Sequence, residues 1–206
     1  MSSPRRALIV IDVQNEYVTG GLRIEYPPIE QSLQRIGEAM DAAQAAGVPI
    51  VLVQHDSPAD SPLFATGSDG WQLHPSVAGR PHDYLIHKTL PGSFTGTELA
   101  PWLAERGIDT LTIAGYMSQN CNLATAVQAA HLGMNVEMLS DATGSVPYEN
   151  AAGRATAEEV HRVLGVIFHS RLAAMVETAQ WIDNLKAGVA SEKSNILVSN
   201  RQAVGH

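Results

Sequence analysis

Three residues have the types and placing that nucleophilic chemistry needs. Cys121 is the only cysteine of the 206 residues, and it stands between the apolar run TLTIAG and the helix-like segment CNLATAVQAAHLG. A thiol at a helix N-terminus feels the positive end of the macrodipole and unpaired backbone N–H groups, which favour thiolate over thiol. Asp12 closes the run ALIVID and Lys88 closes DYLIHK. An acid, a base and a thiol therefore each sit at the carboxyl end of a predicted strand, where open parallel sheets form their ligand crevice. Taken singly, each has an ordinary reading: a small buried hydrophobe, a strand-end turn residue and a solvated edge lysine.

Cysteine attacks a carbonyl carbon as thiolate, so a second group must remove the thiol proton and return it to a leaving amine. Asp12 can do both if it lies within hydrogen-bond reach of the sulfur. Lys88 supplies positive charge that lowers the thiol pKa and steadies the ionised pair. The three form a coupled system, so no single pKa belongs to one member. The turn GYMSQNC, just before the predicted helix, offers outward-pointing N–H groups to a tetrahedral oxyanion.

The elements that must position these groups alternate along the chain. Strand-length apolar runs occur at 7–12, 49–54, 83–88, 110–115 and 135–139, with a weaker one at 173–177. Between most of them lie segments with helical spacing: IEQSLQRIGEAMDAAQAAG, ELAPWLAERG, CNLATAVQAAHLG and TAEEVHRVLGVIFHSRL. The alternation predicts an α/β fold, a doubly wound, mostly parallel six-stranded sheet with helices on both faces. Gly47, Gly107 and Gly133 follow helical segments as C-cap glycines do, and Thr156 ahead of Glu158 and Glu159 is an N-cap. Residues 55–82 have neither period and are read as the wall of a substrate pocket. One domain is expected over 1–186, with 187–206 a polar, weakly structured tail that wanders or crosses to a neighbouring subunit.

Bulk properties narrow the partners. A net charge of −8 without a Lys/Arg stripe argues against nucleic acid and anionic membrane, and leaves a small-molecule substrate as the expected partner. No apolar run approaches a membrane span, and the N-terminal residues lack a signal-peptide layout, so a cytoplasmic location is expected. A lone cysteine makes no internal disulfide.

The stretches ALIVIDVQNEYVTGGL, HKTLPGSFTGTEL and TIAGYMSQNCNLATAVQAAHLGMNVEMLSDATGS together resemble the isochorismatase-like cysteine hydrolases, which include nicotinamidases, N-carbamoylsarcosine amidases, maleamate amidases and streptothricin hydrolases. The resemblance covers about residues 7 to 180. It implies that Asp12, Lys88 and Cys121 form a catalytic triad. It also implies that Tyr116–Met117 is a cis peptide and that the N–H groups of Met117 and Cys121 form the oxyanion hole. Gln14 matches the family's Asp-x-Gln signature, while Glu16 and Tyr17 replace a commoner Asp and Phe. Gln14, Tyr17, Trp71, Phe94 and Tyr116 are the expected substrate-binding residues, with a core role open for Trp71 and favoured for Trp102. Asp141 is usual at its place in the family and is expected to organise a loop.

Nicotinamidases hold a divalent ion through an Asp-x-His pair plus further histidines. Here His55, Asp56, Asp60 and His74 occupy that region without the Asp-x-His spacing. No metal and no cofactor are expected, and nicotinamide is not the first substrate expected. A cysteine-dependent amidohydrolase acting on a small non-peptide C–N bond is the leading expectation. An isochorismatase-type vinyl-ether hydrolase and a non-catalytic binding protein are the alternatives. The resemblance, together with the many apolar positions of the segment 156–172 (Val160, Val163, Leu164, Val166, Ile167, Phe168), implies a homo-oligomer, a dimer or tetramer.

Overall fold

The computed structural model describes residues 3–205. In chain order the elements are β1 (Arg6–Ile11), a 3-10 turn (Asn15–Tyr17), α1 (Ile29–Ala45), β2 (Ile50–His55), the one-turn α2 (Pro75–Ala78), β3 (Tyr84–Lys88) and α3 (Leu99–Glu105). Then come β4 (Thr110–Tyr116), a π-turn (Ser118–Asn122), α4 (Leu123–His131), β5 (Asn135–Gly144), β6 (Tyr148–Asn150), β7 (Gly153–Ala155) and α5 (Ala157–Ile167). A second π-turn (Phe168–Leu172), β8 (Ala174–Val176), α6 (Thr178–Ala187) and α7 (Ile196–Val204) complete the chain.

Six strands form one parallel sheet in the order β3-β2-β1-β4-β5-β8. The chain leaves β1 toward β2 and β3, then returns to β1's other side for β4, β5 and β8. That reversal opens a crevice above the carboxyl ends of β1 and β4. Every residue of β1 and β4 is buried, which is why both read as continuous apolar runs rather than alternating ones. Leu8 and Val10 face a core with Ile36 and Met40 of α1 and Trp181 of α6. Ala7, Ile9 and Ile11 face the other core with Leu99 and Leu103 of α3, Ala126 and Ala129 of α4, and Phe168. Both faces are thus covered by helices, as a parallel sheet requires.

Three features depart from expectation. The strand read at 135–139 continues to Gly144, and residues 148–155 fold into the exposed antiparallel hairpin of β6 and β7. The connection 55–82 is ordered by bridges pairing Ser57 with Ala65 and Gln14 with Leu73, and by burial of Phe64. The tail is structured rather than loose. Ser191 donates its N–H to Glu137 Oε1 at 3.0 Å, Arg6 Nη2 donates to the Val189 carbonyl, and Ser194 N–H bonds the His169 carbonyl at 3.0 Å. Glu137 and Arg6 are themselves a buried bidentate pair at 2.9 and 2.8 Å, with Thr112 and Trp181 donating to the same carboxylate. Among the described residues no helix is long and apolar enough to cross a membrane.

Candidate active site

Asp12 is the first residue past β1, with φ at 50°, a left-handed conformation that Asp tolerates better than most side chains. Its N–H bonds the Val53 carbonyl at 2.9 Å, and its own carbonyl accepts from Gln14 N–H at 2.8 Å, so the chain turns sharply and aims the carboxylate into the crevice. Non-glycine residues held at positive φ cluster at functional sites.

Lys88 ends β3, two strands away, and is just as buried. Its Nζ lies 2.7 Å from Asp12 Oδ2 with both side chains fully shielded from solvent, and it donates to Cys121 Sγ at 3.3 Å. Nζ stands off the direction a hydrogen bond to Oδ2 would take, so the pair is held by charge, and both Asp12 oxygens remain free acceptors. Burial alone would lower Lys88, but the facing Asp12 carboxylate and Cys121 outweigh it and hold the ammonium above its ordinary value. The structure thus brings Asp12, Lys88 and Cys121 into one buried cluster.

Cys121 lies in the π-turn, two residues before α4 rather than on its first turn, and only 4% of it is exposed. The expectation of a thiol depressed by a helix N-terminus is corrected here. Burial pushes the thiol up, the adjacent Asp12 carboxylate pushes it the same way, and Lys88 offsets only part of this. Burial and Asp12 thus both favour the protonated thiol, next to a carboxylate able to take its proton.

The turn that carries the thiol is tightly braced. Gly115, at φ 99°, passes so close to β1 that a Cβ there would stand 2.1 Å from the Ile11 carbonyl oxygen. Asn122 Nδ2 bonds the Gly115 carbonyl at 2.8 Å, and Met117 accepts the N–H groups of Asn120 and Asn122 at 3.1 and 3.2 Å. The Tyr116–Met117 peptide is cis. Ser118 Oγ contacts both the Gly144 carbonyl at 3.1 Å and His161 Nδ1 at 3.0 Å, tying the turn to β5 and α5.

The remaining expected site residues divide by burial. Tyr17 packs against Phe64 at 5.0 Å between ring centroids and edge-on against Tyr116 at 5.6 Å. Burial raises its phenol, with Cys121 and Asp12 acting in the same sense, which marks how near its ring lies to them. Tyr116 is wholly buried with its hydroxyl 2.7 Å from Ser32 Oγ, so it supports Tyr17 from behind. Gln14 is also wholly buried. Its Nε2 donates to the His55 and Trp71 carbonyls at 3.0 and 2.7 Å, and its Oε1 accepts from His55 N–H at 2.9 Å. With its amide committed to backbone, Gln14 is a brace between β1, β2 and the 55–82 connection. Trp71 donates from Nε1 to Asp56 at 2.6 Å and stacks on His87. Phe94 packs on the core that includes Cys121, and Trp102 stacks on Tyr84. Asp141 Oδ1 accepts from the Thr178 N–H and hydroxyl at 2.8 and 2.7 Å, which ties the end of β5 to the start of α6.

The residues that could have held a metal are otherwise engaged. His55 Nδ1 faces Lys88 Nζ at 3.4 Å, Asp56 is bonded to Trp71 and His87, and His74 caps α2. Asp60 is exposed, and among the described residues no three His, Cys, Asp or Glu side chains are grouped to hold an ion. These residues do not fit a metal. A separate cavity of about 670 Å³, lined by Tyr26, Ser140, Asp141, His161, Glu177 and Gln202 among others, includes none of Asp12, Lys88 and Cys121. Its size does not make it the reacting site, because the nucleophile, acid and cation lie elsewhere.

Residues 6–166 match the isochorismatase domain family. The fold superimposes with a TM-score of 0.98 on the crystal structure of an isochorismatase-type protein from Burkholderia xenovorans, 57% identical, covering 99% of this chain and 98% of that one. The secreted isochorismatase effector Isc1 of Verticillium dahliae is 32% identical over 82% of this chain and 90% of its own length. A streptothricin hydrolase of Streptomyces noursei is 33% identical over 66% of this chain, an alignment that spans 49% of that protein. The chain belongs to the isochorismatase family, and within it is a hydrolase.

Proposed function

We propose that the protein hydrolyses a small non-peptide amide through a thioester on Cys121. The observation that carries this reading is the single ammonium of Lys88 in contact with both a buried carboxylate and a buried thiol. A vinyl-ether hydrolase needs an acid but no nucleophile, and the thiol of Cys121 would then have no task.

In the proposed cycle the Cys121 thiol gives its proton to Asp12 as sulfur attacks the amide carbon. The carbonyl π electrons move to oxygen, where the N–H groups of Met117 and Cys121 receive the negative charge. Collapse of this adduct breaks the C–N bond, and Asp12 returns the proton to the departing ammonia or amine. Water then gives a proton to Asp12 and attacks the thioester. Breaking of the C–S bond releases the acid, and the sulfur recovers its proton. Lys88 faces the Asp12 carboxylate and offsets charge on sulfur as it develops. Tyr17 and Phe64 supply an apolar wall suited to a small substrate.

A thiol that must stay reduced suits a cytoplasmic location. The exposed Val163, Val166 and Ile167 of α5 suit self-association, because the tail helix leaves them uncovered. The reaction class is tested by measuring ammonia release from a panel of small amides. Release from at least one supports the reading, and release from none while a vinyl ether is cleaved favours the other chemistry.

A further inference from the structure

Lys88 Nζ has three neighbours: Asp12 Oδ2 at 2.7 Å, held by charge, and Cys121 Sγ at 3.3 Å and His55 Nδ1 at 3.4 Å, with which it forms hydrogen bonds. An ammonium only donates, so Nδ1 of His55 must be bare and the neutral ring carries its proton on Nε2. Burial and the Lys88 charge both keep the ring from taking a second proton. The contact with Lys88 is the only hydrogen bond of the His55 ring among the described residues, so Nε2 is a donor without a protein acceptor. The ring is half-buried and stands edge-on to Phe64 at 5.5 Å, continuing the wall that Phe64 shares with Tyr17. A fixed, unspent donor at the edge of an apolar wall beside a reactive cluster is the usual way a site reads one polar group of a ligand.

We propose that His55 is a substrate-binding residue: its Nε2–H donates to a second oxygen acceptor on the substrate, a carbonyl or carboxylate close to the scissile amide. The proposal rests on the amidase reading for the scissile group, yet its test needs no turnover. Small diamides and amido acids would then be preferred over simple alkyl amides. Along the chain His55 reads only as a possible metal ligand, because nothing there signals that Lys88 lies opposite it.

The two ring nitrogens can be separated by substitution. Asn places an oxygen near Nδ1 and so can still receive Lys88, but it loses the outward donor. Gln places an N–H near Nε2 but loses the acceptor toward Lys88. The probe is protection of Cys121 from iodoacetamide at alkaline pH, by malonamide and by its shape analogue 3-methylbutanamide, which lacks the second carbonyl. In the wild type, malonamide should protect at about tenfold lower concentration, the worth of one hydrogen bond. His55→Asn should abolish that preference and His55→Gln should keep it. Equal preference in His55→Asn and wild type overturns the proposal, as does a wild type protected equally by both compounds or by neither. Failure of the amidase reading would appear separately, as absence of ammonia release.

Discussion

The ammonium of Lys88 lies 2.7 Å from a carboxylate oxygen of Asp12, and neither side chain reaches solvent. An isolated charge in such a place is costly, so each compensates the other. The same ammonium touches Cys121, whose thiol is raised by the Asp12 carboxylate beside it. Removing the carboxylate should therefore have two opposite effects. Asp12→Asn should cut turnover by about 10²–10⁴-fold, the range for loss of a general acid and base. It should also speed iodoacetamide labelling of Cys121 near neutral pH, since the carboxylate that raises the thiol is gone and an ionised Cys121 becomes the charge partner of Lys88. Labelling that stays equal or slows in Asp12→Asn would contradict the assignment of charges.

Gly115 is irreplaceable on steric grounds. Its φ is 99°, and a Cβ would meet the Ile11 oxygen at 2.1 Å and the Ile11 nitrogen at 2.7 Å, both backbone atoms that cannot rotate away. Gly115→Ala should cost about 3 kcal/mol or more in urea unfolding and displace the turn that carries Cys121. A cost under about 1 kcal/mol would show that β1 and β4 can part there.

Stability should fall on acidification in two stages. Burial holds His55, His74 and His161 below the ordinary 6.5, so the unfolded chain protonates first and stability declines as pH drops beneath that value. Burial would raise Glu137, but Arg6 outweighs it and holds the carboxyl below its ordinary 4.5. Its contribution is present above 4.5 and is lost as pH falls through the lower folded value. Glu137→Gln leaves the buried Arg6 guanidinium unpaired and should cost about 3–5 kcal/mol at neutral pH. Urea midpoints measured across pH test both stages. A midpoint that is flat below 6.5, or a Glu137→Gln protein as stable as wild type, would contradict them.

Self-association should run through α5. Val163, Val166 and Ile167 are 45%, 63% and 50% exposed, whereas the neighbouring Phe168 is wholly buried. Light scattering at micromolar concentration should give a multiple of 22.0 kDa. Val166→Asp with Ile167→Asp should return the protein to one chain. A wild-type mass of one chain would refute the idea, and a multimer unchanged by both substitutions would move the contact elsewhere.

Much of the fold was legible because strands buried on both faces leave long apolar runs, and Asp12 and Lys88 stand visibly at the ends of two of them. What the chain did not disclose are partnerships across distance. Gln14 looked free to bind substrate until its amide met the His55 and Trp71 carbonyls. The tail looked loose because its anchors, Arg6 and Glu137, lie far away in sequence. The β6–β7 hairpin is exposed, so it carries no apolar alternation to read. The raised thiol is hidden for a related reason. Helix polarity can be read from sequence, whereas burial and the approach of Asp12 depend on the assembled crevice.

Covalent catalysis by Cys121 is tested most directly by Cys121→Ala, assayed for ammonia release on whichever small amide the wild type turns over, with the fold checked by circular dichroism. Loss of one small buried side chain should leave the fold intact and lower turnover by about 10⁴-fold or more. A folded Cys121→Ala protein within about tenfold of wild-type activity would contradict the thioester route, since no other group of the site can take the place of the sulfur.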